Sequence, residues 1–384
     1  MNKDWIYLLF RNLPVNQKKI FVSSFRGMYS DNPKAIARSI HELDETIKIV
    51  WEKSEKSRDK FPDYAIVVQH NSFAQLYHLA TSALILENGS GYFFVKWKSR
   101  FSNRFKYFKN PRSIDIATWH GTPLKHIGAD IPGSIVSRND IFSSADYIIA
   151  GSSYEHDIFK KAFPEKIKIL DLGNARNDQL LNSNDRMIDE IKNKLGLPKN
   201  KLVLYCPTFR DDVNNSGINQ LRQMNIPLLL ETLHNKFGGE WSFVFRAHHR
   251  VMKALAQLDL ILKNKVINGN IGDDMAEYLQ VCDCIITDYS GSLFDVTLTS
   301  KPCFLFAHDR KHYVESERGL YMPIEDLPYK FADTFDNLIE NINNYESKKA
   351  IEYRKKFIGQ IGFFNEGNAA VKTAELILQI IADK

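Results

Sequence analysis

Three short polar runs contain the residue types that move protons and bind anions. They are Thr118-Trp119-His120-Gly121-Thr122, Arg246-Ala247-His248-His249 and Thr287-Asp288-Tyr289-Ser290-Gly291-Ser292. Histidine titrates near neutral pH and is the most frequent general acid or base. A Ser-Gly-Ser turn before a helix presents backbone N–H groups to an anion. The runs together predict one enzyme site assembled from distant segments.

Cations near these runs favour phosphate as the anion. Arg246 and His248 lie in the second run, and Arg210 and Arg318 lie in other short polar stretches. Nucleotide phosphates fit this set better than a neutral sugar does. The residues predicted to bind them are Thr208, Arg210, Arg246, Ser290, Gly291, Ser292 and Arg318.

Several common phosphate and hydrolase motifs are absent from the sequence. There is no Gly-x-x-x-x-Gly-Lys-Ser/Thr loop, and Gly89-Ser90-Gly91 lacks the third glycine of the dinucleotide fingerprint. His-Glu-x-x-His and Gly-x-Ser-x-Gly are also missing. These absences argue against a kinase, a dehydrogenase, a metalloprotease and a serine hydrolase. No acid-rich cluster is visible, so neither a metal nor a cofactor is expected.

Each polar run also has a purely structural explanation. A single histidine after a strand is often a surface residue, and the acid and serines of the third run can simply cap a helix. Gly121 and Pro123 favour a functional His120, because a tight turn there directs the imidazole to one side. Three such runs at equivalent places favour a site over three unrelated features.

Apolar strand-like runs alternate with segments of helical period, which is the pattern of βαβ units. The predicted strands are Lys19 to Val22, Ile47 to Trp51, Tyr64 to Val68, Ala83 to Leu86, Ile114 to Trp119, Tyr147 to Ala150, Ile167 to Leu172, Leu202 to Cys206, Ser242 to Arg246, Lys265 to Ile267, Cys284 to Thr287 and Cys303 to Phe306. The pattern predicts an α/β fold with two Rossmann-like, doubly wound domains. The polar runs follow strands, so we expect them to meet in a cleft at the strands' carboxyl ends.

A polar stretch, Asn182 to Asn200, interrupts the alternation once. We therefore predict an N-terminal domain over residues 1–182 and a C-terminal domain over residues 183–384. The amphipathic final helix, Ala369 to Ala382, can pack back on the N-terminal domain.

Composition narrows the class of protein further. The 384 residues are 44% hydrophobic and 25% charged, as in a globular protein of two domains. No signal peptide or apolar run long enough to span a bilayer is apparent, and the four cysteines are scattered, so a cytoplasmic location is expected. The net charge of +5 is modest and no nucleic-acid-binding module occurs, so no nucleic-acid partner is expected.

One basic and aromatic segment, residues 91–112, is a candidate membrane contact. It contains seven Lys or Arg, eight aromatic residues and no acid, and its aromatic residues recur at helical spacing. A helix of this composition lies on an anionic bilayer surface. A core helix with a solvated basic edge and a nucleic-acid-binding helix are the alternatives. The residues expected to contact membrane or acceptor are Lys96, Trp97, Lys98, Arg100, Phe101 and Arg104.

Five motifs occur in a fixed order: Thr118 to Lys125, Gly173 to Asp178, Pro207 to Asp212, Arg246 to His248 and Thr287 to Ser290. Together they resemble the motifs of the CDP-glycerol glycerophosphotransferases, the teichoic acid primases and polymerases of Gram-positive bacteria. Asp31 to Lys34 and Tyr313 to Tyr321 are also similar to that family. The similarity extends from about residue 20 to 325, so it is more specific than a single motif.

The resemblance implies a GT-B fold, with the donor nucleotide in the second domain and the acceptor on the first. The family's two functional histidines correspond to His120 and His248, and its donor-phosphate segment to Asp288, Tyr289 and Ser290. We therefore predict catalytic roles for His120, His248 and Asp288. Gly291 stands where many relatives have a serine, so a backbone N–H replaces one hydroxyl there.

The reaction implied is transfer of glycerol phosphate from CDP-glycerol to a hydroxyl, with release of CMP. The implied acceptor is a saccharide or glycerophosphate on a polyprenyl diphosphate, met at the cytoplasmic face of the membrane by a peripheral protein. Three alternatives remain open. They are a ribitol-phosphate or capsule polymer transferase, a GT-B glycosyltransferase using a nucleotide sugar, and a non-catalytic membrane scaffold.

Overall fold

The computed structural model describes residues 9–89, 109–132, 144–208, 221, 223–246, 266–307 and 319–383, and the backbone of residues 97–98 and 105–106. The chain divides into two units. The first contains Met1–His120, Ile127–Asp178 and Gly362–Lys384, and the second contains Gly121–His126 and Gln179–Ile361. The prediction from sequence differs: it has the boundary at 182/183, and it assigns residues 121–126 to the first domain and 362–384 to the second.

Strands and helices alternate along both units. The strands are Asn16–Ser23 (β1), Lys48–Lys53 (β2), Ile66–Gln69 (β3), Ser82–Glu87 (β4), Trp97–Lys98 (β5), Phe105–Lys106 (β6), Ile114–Ala117 (β7), Tyr147–Ala150 (β8), Lys168–Asp171 (β9), Lys201–Cys206 (β10), Trp241–Phe245 (β11), Val266–Asn268 (β12), Cys284–Thr287 (β13), Cys303–Phe306 (β14) and Phe331–Ala332 (β15). The helices are Asp31–Leu43 (α1), Phe73–Thr81 (α2), Ser153–Ala162 (α3), Asp178–Leu181 (α4), Asp185–Leu195 (α5), Ile226–Phe237 (α6), Met275–Val281 (α7), Ser292–Thr297 (α8), Phe335–Asn343 (α9), Ser347–Ile361 (α10) and Ala369–Ala382 (α11). Short 3₁₀ turns occupy Gly128–Asp130, Ala175–Asn177 and Ile324–Asp326.

The first unit has a parallel sheet with the strand order β3-β2-β1-β4-β7-β8-β9. Successive side chains of β1 alternate between its two faces. Ile20 and Val22 pack with α1 and α11, whereas Phe21 packs with α2. Because helices cover both faces, the strand is apolar along its inner length. Each of the seven strands predicted for this half overlaps one strand of this sheet, with ends that differ by at most three residues.

The second unit repeats the design with the strand order β12-β11-β10-β13-β14-β15, again parallel. Leu229 and Leu233 of α6 and Leu338 and Ile342 of α9 cover one face of the sheet. In both sheets the strand order reverses once, between β1 and β4 and between β10 and β13. The predicted α/β class with two doubly wound sheets is confirmed.

The last helix, α11, belongs to the first unit and packs on α1 through Ala374 and Ile377. Its first turn is capped from outside the helix, because the Asp178 carboxylate accepts from the backbone N–H groups of Ala369 (3.1 Å) and Ala370 (2.7 Å). Such a carboxylate satisfies N–H groups that have no partner within the helix.

Two features differ from the sequence prediction. Residues 97–98 and 105–106 form an antiparallel pair, β5 with β6, so the predicted surface helix is wrong at these four positions. The helices α9 and α10 and the short strand β15 are not assigned from the sequence. Of the fifteen residues of α10 only Arg354, Phe357 and Ile361 are buried, so its apolar pattern is sparse.

No helix within the described ranges is both long enough and apolar enough to cross a bilayer.

Candidate active site

The point where the second sheet reverses its strand order is bridged by Asp288. This residue directly follows β13, is fully buried, and accepts through Oδ1 from the Thr208 N–H (2.8 Å) and hydroxyl (2.5 Å). The same oxygen accepts from the Tyr289 N–H at 2.6 Å. Doubly wound sheets bind ligands in the crevice at this point. Asp288 therefore joins the loops after β10 and β13, and Thr208 is held at the same place.

The predicted anion-binding turn, Ser290 to Ser292, begins two residues later at the start of α8. The hydroxyls of Ser290 and Ser292 lie 2.9 Å apart, and the Ser292 N–H donates to the Ser290 Oγ at 3.3 Å. Gly291 has an ordinary helical backbone, so its small size serves packing. A Cβ there would lie 2.9 Å from the carbonyl oxygen of Thr122. The glycine thus allows residues 121–122 of the same unit to lie directly on the turn.

The chain segment after His120 is fixed within the second unit. Lys125 forms an antiparallel bridge with Leu320, and Tyr321 donates its N–H to the Leu124 carbonyl at 2.9 Å. The His126 N–H donates to the Gly319 carbonyl at 3.2 Å, and the His126 ring meets the Tyr321 ring edge-on at 4.6 Å. Residues 121–126 therefore connect the turn at Gly291 with the stretch 319–321.

Arg246, predicted to bind phosphate, is engaged with the protein backbone. Its guanidinium donates to the carbonyls of Gly269 (2.7 Å), Gly272 (2.9 Å) and Asp273 (2.9 Å). It also lies over the ring of Tyr278, 4.5 Å from the centroid. The structure thus gives Arg246 the role of holding the loop 269–273 after β12.

In the first unit, the equivalent crevice between β1 and β4 contains Asn88, which is fully buried and directly follows β4. Its side-chain Oδ1 accepts from the Phe25 N–H at 2.8 Å, and its Nδ2 donates to the Ser24 hydroxyl at 3.0 Å. Asn88 and Asp288 thus make the same connection in their two sheets. Each follows the fourth strand and accepts from the residue two positions beyond the end of the first.

His120 is oriented by the backbone of Asn88. Its Nδ1 lies 2.7 Å from the Asn88 carbonyl oxygen, which can only accept, so Nδ1 carries the proton. In the neutral ring Nε2 then has the lone pair. Aromatic rings flank the imidazole: Trp119 at 4.3 Å between centroids and Phe25 at 5.6 Å. The ring therefore has the tautomer and the restricted position that a general base needs.

The surroundings of His120 favour its neutral form. Protein atoms around the ring replace water that would stabilise the cation, and this lowers the pKa of His120. The hydrogen bond to the Asn88 carbonyl raises the pKa of His120 in part, and the nearby Arg176 cation lowers it further. Solvent still reaches the exposed residue and limits the size of the effect. At neutral pH the imidazole is therefore unprotonated and able to accept a proton.

The backbone that carries His120 is supported by the buried Asn32 at the start of α1. Asn32 Nδ2 donates to the carbonyls of Thr118 (3.0 Å) and Trp119 (3.4 Å), and its Oδ1 accepts from the Arg176 N–H at 3.0 Å. Trp119 has a φ of 53°, a left-handed conformation that costs energy for a residue other than glycine. Parts of three sequence motifs thus meet in the first unit: Asp31 to Lys34, the residues Thr118 to His120 that begin the second motif, and Gly173 to Asp178.

The remaining predicted site residues lie in β5 or outside the described ranges. Trp97 and Lys98 lie in β5, of which only the backbone is described. Lys96, Arg100, Phe101, Arg104, Arg210, His248 and Arg318 lie outside the described residues. Sequence reasoning did not identify Asn88, Asn32 or Phe25. For Asn32 a signal existed in the motif Asp31 to Lys34, whereas an amide after β4 has none.

Within the described part of the chain, no group of three or more His, Cys, Asp or Glu is placed to hold a metal ion.

Known proteins share this sequence and fold. The family profile described as CDP-glycerol:poly(glycerophosphate) glycerophosphotransferase matches residues 5–379. The teichoic acid poly(glycerol phosphate) polymerase of Bacillus spizizenii is 28% identical over 392 residues, which cover 97% of this chain and 95% of that protein. The corresponding polymerase of Staphylococcus epidermidis is 32% identical over 358 residues, 87% of this chain, which spans only 47% of that relative.

Solved structures agree. The wall teichoic acid polymerase TagF matches with a TM-score of 0.81 and 27% identity, over 100% of this chain and 94% of that chain. A variant of TagF soaked with CDPG matches with a TM-score of 0.81 and 28% identity, over 98% and 93%. This match confirms the GT-B-like fold class. Because the family profile covers nearly all of the sequence, the chain belongs to the CDP-glycerol:poly(glycerophosphate) glycerophosphotransferase family of enzymes.

Proposed function

We propose that the protein transfers glycerol phosphate from CDP-glycerol to a hydroxyl of its acceptor in teichoic acid synthesis and releases CMP. The acceptor is a saccharide or glycerophosphate chain on a polyprenyl diphosphate. The observation that carries the proposal is the state of His120. Its Nδ1 donates to the Asn88 carbonyl, which leaves Nε2 as a proton acceptor, and its lowered pKa keeps the ring neutral.

The donor diphosphate binds at the switch point of the second sheet, which is the place between β10 and β13 where the strand order reverses. The turn Ser290 to Ser292 supplies hydroxyl and backbone N–H groups, and Thr208 lies on the opposite loop. Arg210, His248 and Arg318 add the charge that balances the diphosphate, as predicted from their motifs. Asp288 acts mainly by joining the two loops, because its Oδ1 already accepts three hydrogen bonds.

The chemical step is an in-line displacement at phosphorus. The acceptor oxygen attacks the β-phosphorus of CDP-glycerol, and the bond from that phosphorus to the CMP oxygen breaks. The hydroxyl proton passes to Nε2 of His120, and a phosphodiester is formed. His248 and Arg318 stabilise the negative charge that develops on the departing CMP.

The reaction takes place at the cytoplasmic face of the membrane, where a polyprenyl-linked acceptor is found. The basic and aromatic segment 91–112 provides the contact as a peripheral attachment. Each basic residue near an anionic surface contributes about 1 kcal/mol, so several attach a protein reversibly.

The donor is tested directly with a panel of nucleotides. We expect the purified protein and a lipid-linked disaccharide acceptor to release CMP from CDP-glycerol faster than from CDP-ribitol, and to release nothing from nucleotide sugars. Product mass gives the number of units added. Faster turnover of CDP-ribitol would assign a ribitol-phosphate transferase, and turnover of a nucleotide sugar alone would assign a glycosyltransferase.

The base is tested by His120→Ala. Loss of a general base lowers kcat about 10²- to 10⁴-fold. Because burial lowers the pKa of His120 to about 4, wild-type kcat/KM should stay constant as the pH is lowered through 6.5, where an ordinary histidine becomes protonated. It should fall only as the pH approaches 4. His234→Ala is the matched control, since this exposed histidine also has its Nδ1 2.7 Å from a carbonyl. Near-normal turnover by the His120→Ala variant would rule out His120 as the general base.

The role of Asp288 is tested by two substitutions. Asp288→Asn keeps an Oδ1 that can accept the three hydrogen bonds, so we expect activity to fall by no more than about ten-fold. Asp288→Ala leaves those buried donors without an acceptor and should lower both activity and urea resistance far more. Equal damage by both substitutions would show that the negative charge itself is required, as a catalytic role predicts.

Membrane attachment is tested by flotation with vesicles that contain anionic phosphatidylglycerol. Replacing Lys96, Lys98, Arg100 and Arg104 by glutamine should reduce the bound fraction strongly, because four charges are lost from one segment. The control replaces four exposed lysines of α10, Lys348, Lys349, Lys355 and Lys356, which removes the same charge. Equal loss in both variants would point to non-specific attraction, and no loss would refute the proposed segment.

A further inference from the structure

The loop after β1 lies at the switch point of the first sheet and has an unusual backbone. Three consecutive residues have positive φ: Phe25 at 43°, Arg26 at 61° and Gly27 at 105°. For Phe25 and Arg26 this left-handed conformation is unfavourable, and such residues concentrate at ligand-binding and catalytic sites. The conformation persists only because the surrounding contacts impose it.

Hydrogen bonds within the loop and to two other segments hold it in place. Asn88 Oδ1 accepts from the Phe25 N–H at 2.8 Å, and the Ser24 carbonyl accepts from the N–H groups of Gly27 (2.9 Å) and Met28 (2.8 Å). The Gly27 carbonyl accepts from the Ser54 N–H at 2.8 Å, and a Cβ on Gly27 would lie 2.3 Å from that nitrogen. The loop is therefore a rigid support.

The side chains that the loop presents are exposed. Phe25 is 46% exposed although it lies next to a buried strand, and Arg26 is exposed as well. The Phe25 ring lies 5.6 Å from the His120 ring at an angle of 66°. An aromatic ring and a guanidinium on a rigid loop beside the proposed base are suited to bind a ligand that is partly carbon and partly anionic.

We propose that Phe25 and Arg26 form the acceptor subsite of the first unit, and this inference rests on the proposed function. Arg26 binds a phosphodiester of the acceptor chain, since a guanidinium pairs with phosphate oxygens through two hydrogen bonds. The Phe25 ring packs against the neighbouring glycerol carbons. Together they place the terminal hydroxyl at Nε2 of His120, so these residues select acceptors that already contain phosphate.

The test measures acceptor and donor KM separately, with a glycerol phosphate oligomer as acceptor and CDP-glycerol as donor. We expect Arg26→Ala to raise the acceptor KM about ten-fold or more, the loss typical of a charge-assisted hydrogen bond, with donor KM unchanged. Arg26→Lys should restore part of the affinity. Phe25→Ala should raise the acceptor KM several-fold and Phe25→Tyr should not. An uncharged oligoglycerol acceptor should be equally poor for wild type and Arg26→Ala.

Matched controls come from the same unit. The controls are Arg38→Ala and Phe73→Ala, which remove the same types of side chain elsewhere. Arg38 is exposed on α1, and Phe73 is 56% exposed at the start of α2. Acceptor KM values of the Phe25 and Arg26 variants no higher than those of the controls would overturn the subsite. A parallel rise in donor KM would overturn it too, because it would indicate a general distortion. The proposed function fails on a different result, the absence of CMP release by the wild-type protein.

Discussion

Each sheet reverses its strand order once, and this reversal determines where polar side chains can gather. On either side of it the crossover connections run in opposite directions, so the loops after the first and fourth strands separate and leave a crevice. Backbone N–H groups at the strand ends then lack sheet partners and need side-chain acceptors. Asn88 in one sheet and Asp288 in the other supply that acceptor to Phe25 and Thr208.

These two bridges have different chemical consequences. Asp288 gathers three donors on one oxygen and fixes the loops on which Thr208 and Ser290 lie. Asn88 uses its side chain for the loop after β1 and its carbonyl for His120. A backbone carbonyl cannot donate, so it fixes the imidazole tautomer without adding a charge. The environment of His120 therefore differs from the common pairing of histidine with a carboxylate.

The fold was largely predictable because parallel strands covered on both faces are nearly continuous apolar runs. Lys19 to Val22 and Leu202 to Cys206 are of this kind. The helix α10 was not predictable from periodicity, since its surface is mostly exposed and charged. Aromatic spacing in the segment 91–112 favours a helix, yet the backbone at 97–98 pairs with 105–106. Spacing cannot distinguish a helix from a hairpin when aromatic residues are so dense.

Site residues were predictable by position rather than by contact. His120, Thr208 and Asp288 follow strands, and their place at the strand ends follows from that order alone. The hydrogen-bond partners of Arg246 could not be predicted in this way, because its carbonyl acceptors lie on a loop more than twenty residues later in the chain. Asn32 acts from a helix start 86 residues before Thr118. The motif Asp31 to Lys34 marks Asn32 itself, but local sequence does not identify the distant partners of such hydrogen bonds.

The first unit is assembled from both ends of the chain. Its last helix, α11, covers α1, and Asp178 caps the start of α11 from 191 residues earlier in the chain. During synthesis on the ribosome, chains fold as they emerge, with N-terminal parts first. Here the apolar face of α1 must wait, uncovered, until the whole second unit has been translated. The nascent chain therefore exposes this apolar face until its last helix has been made, and its second unit is the first that can complete its core.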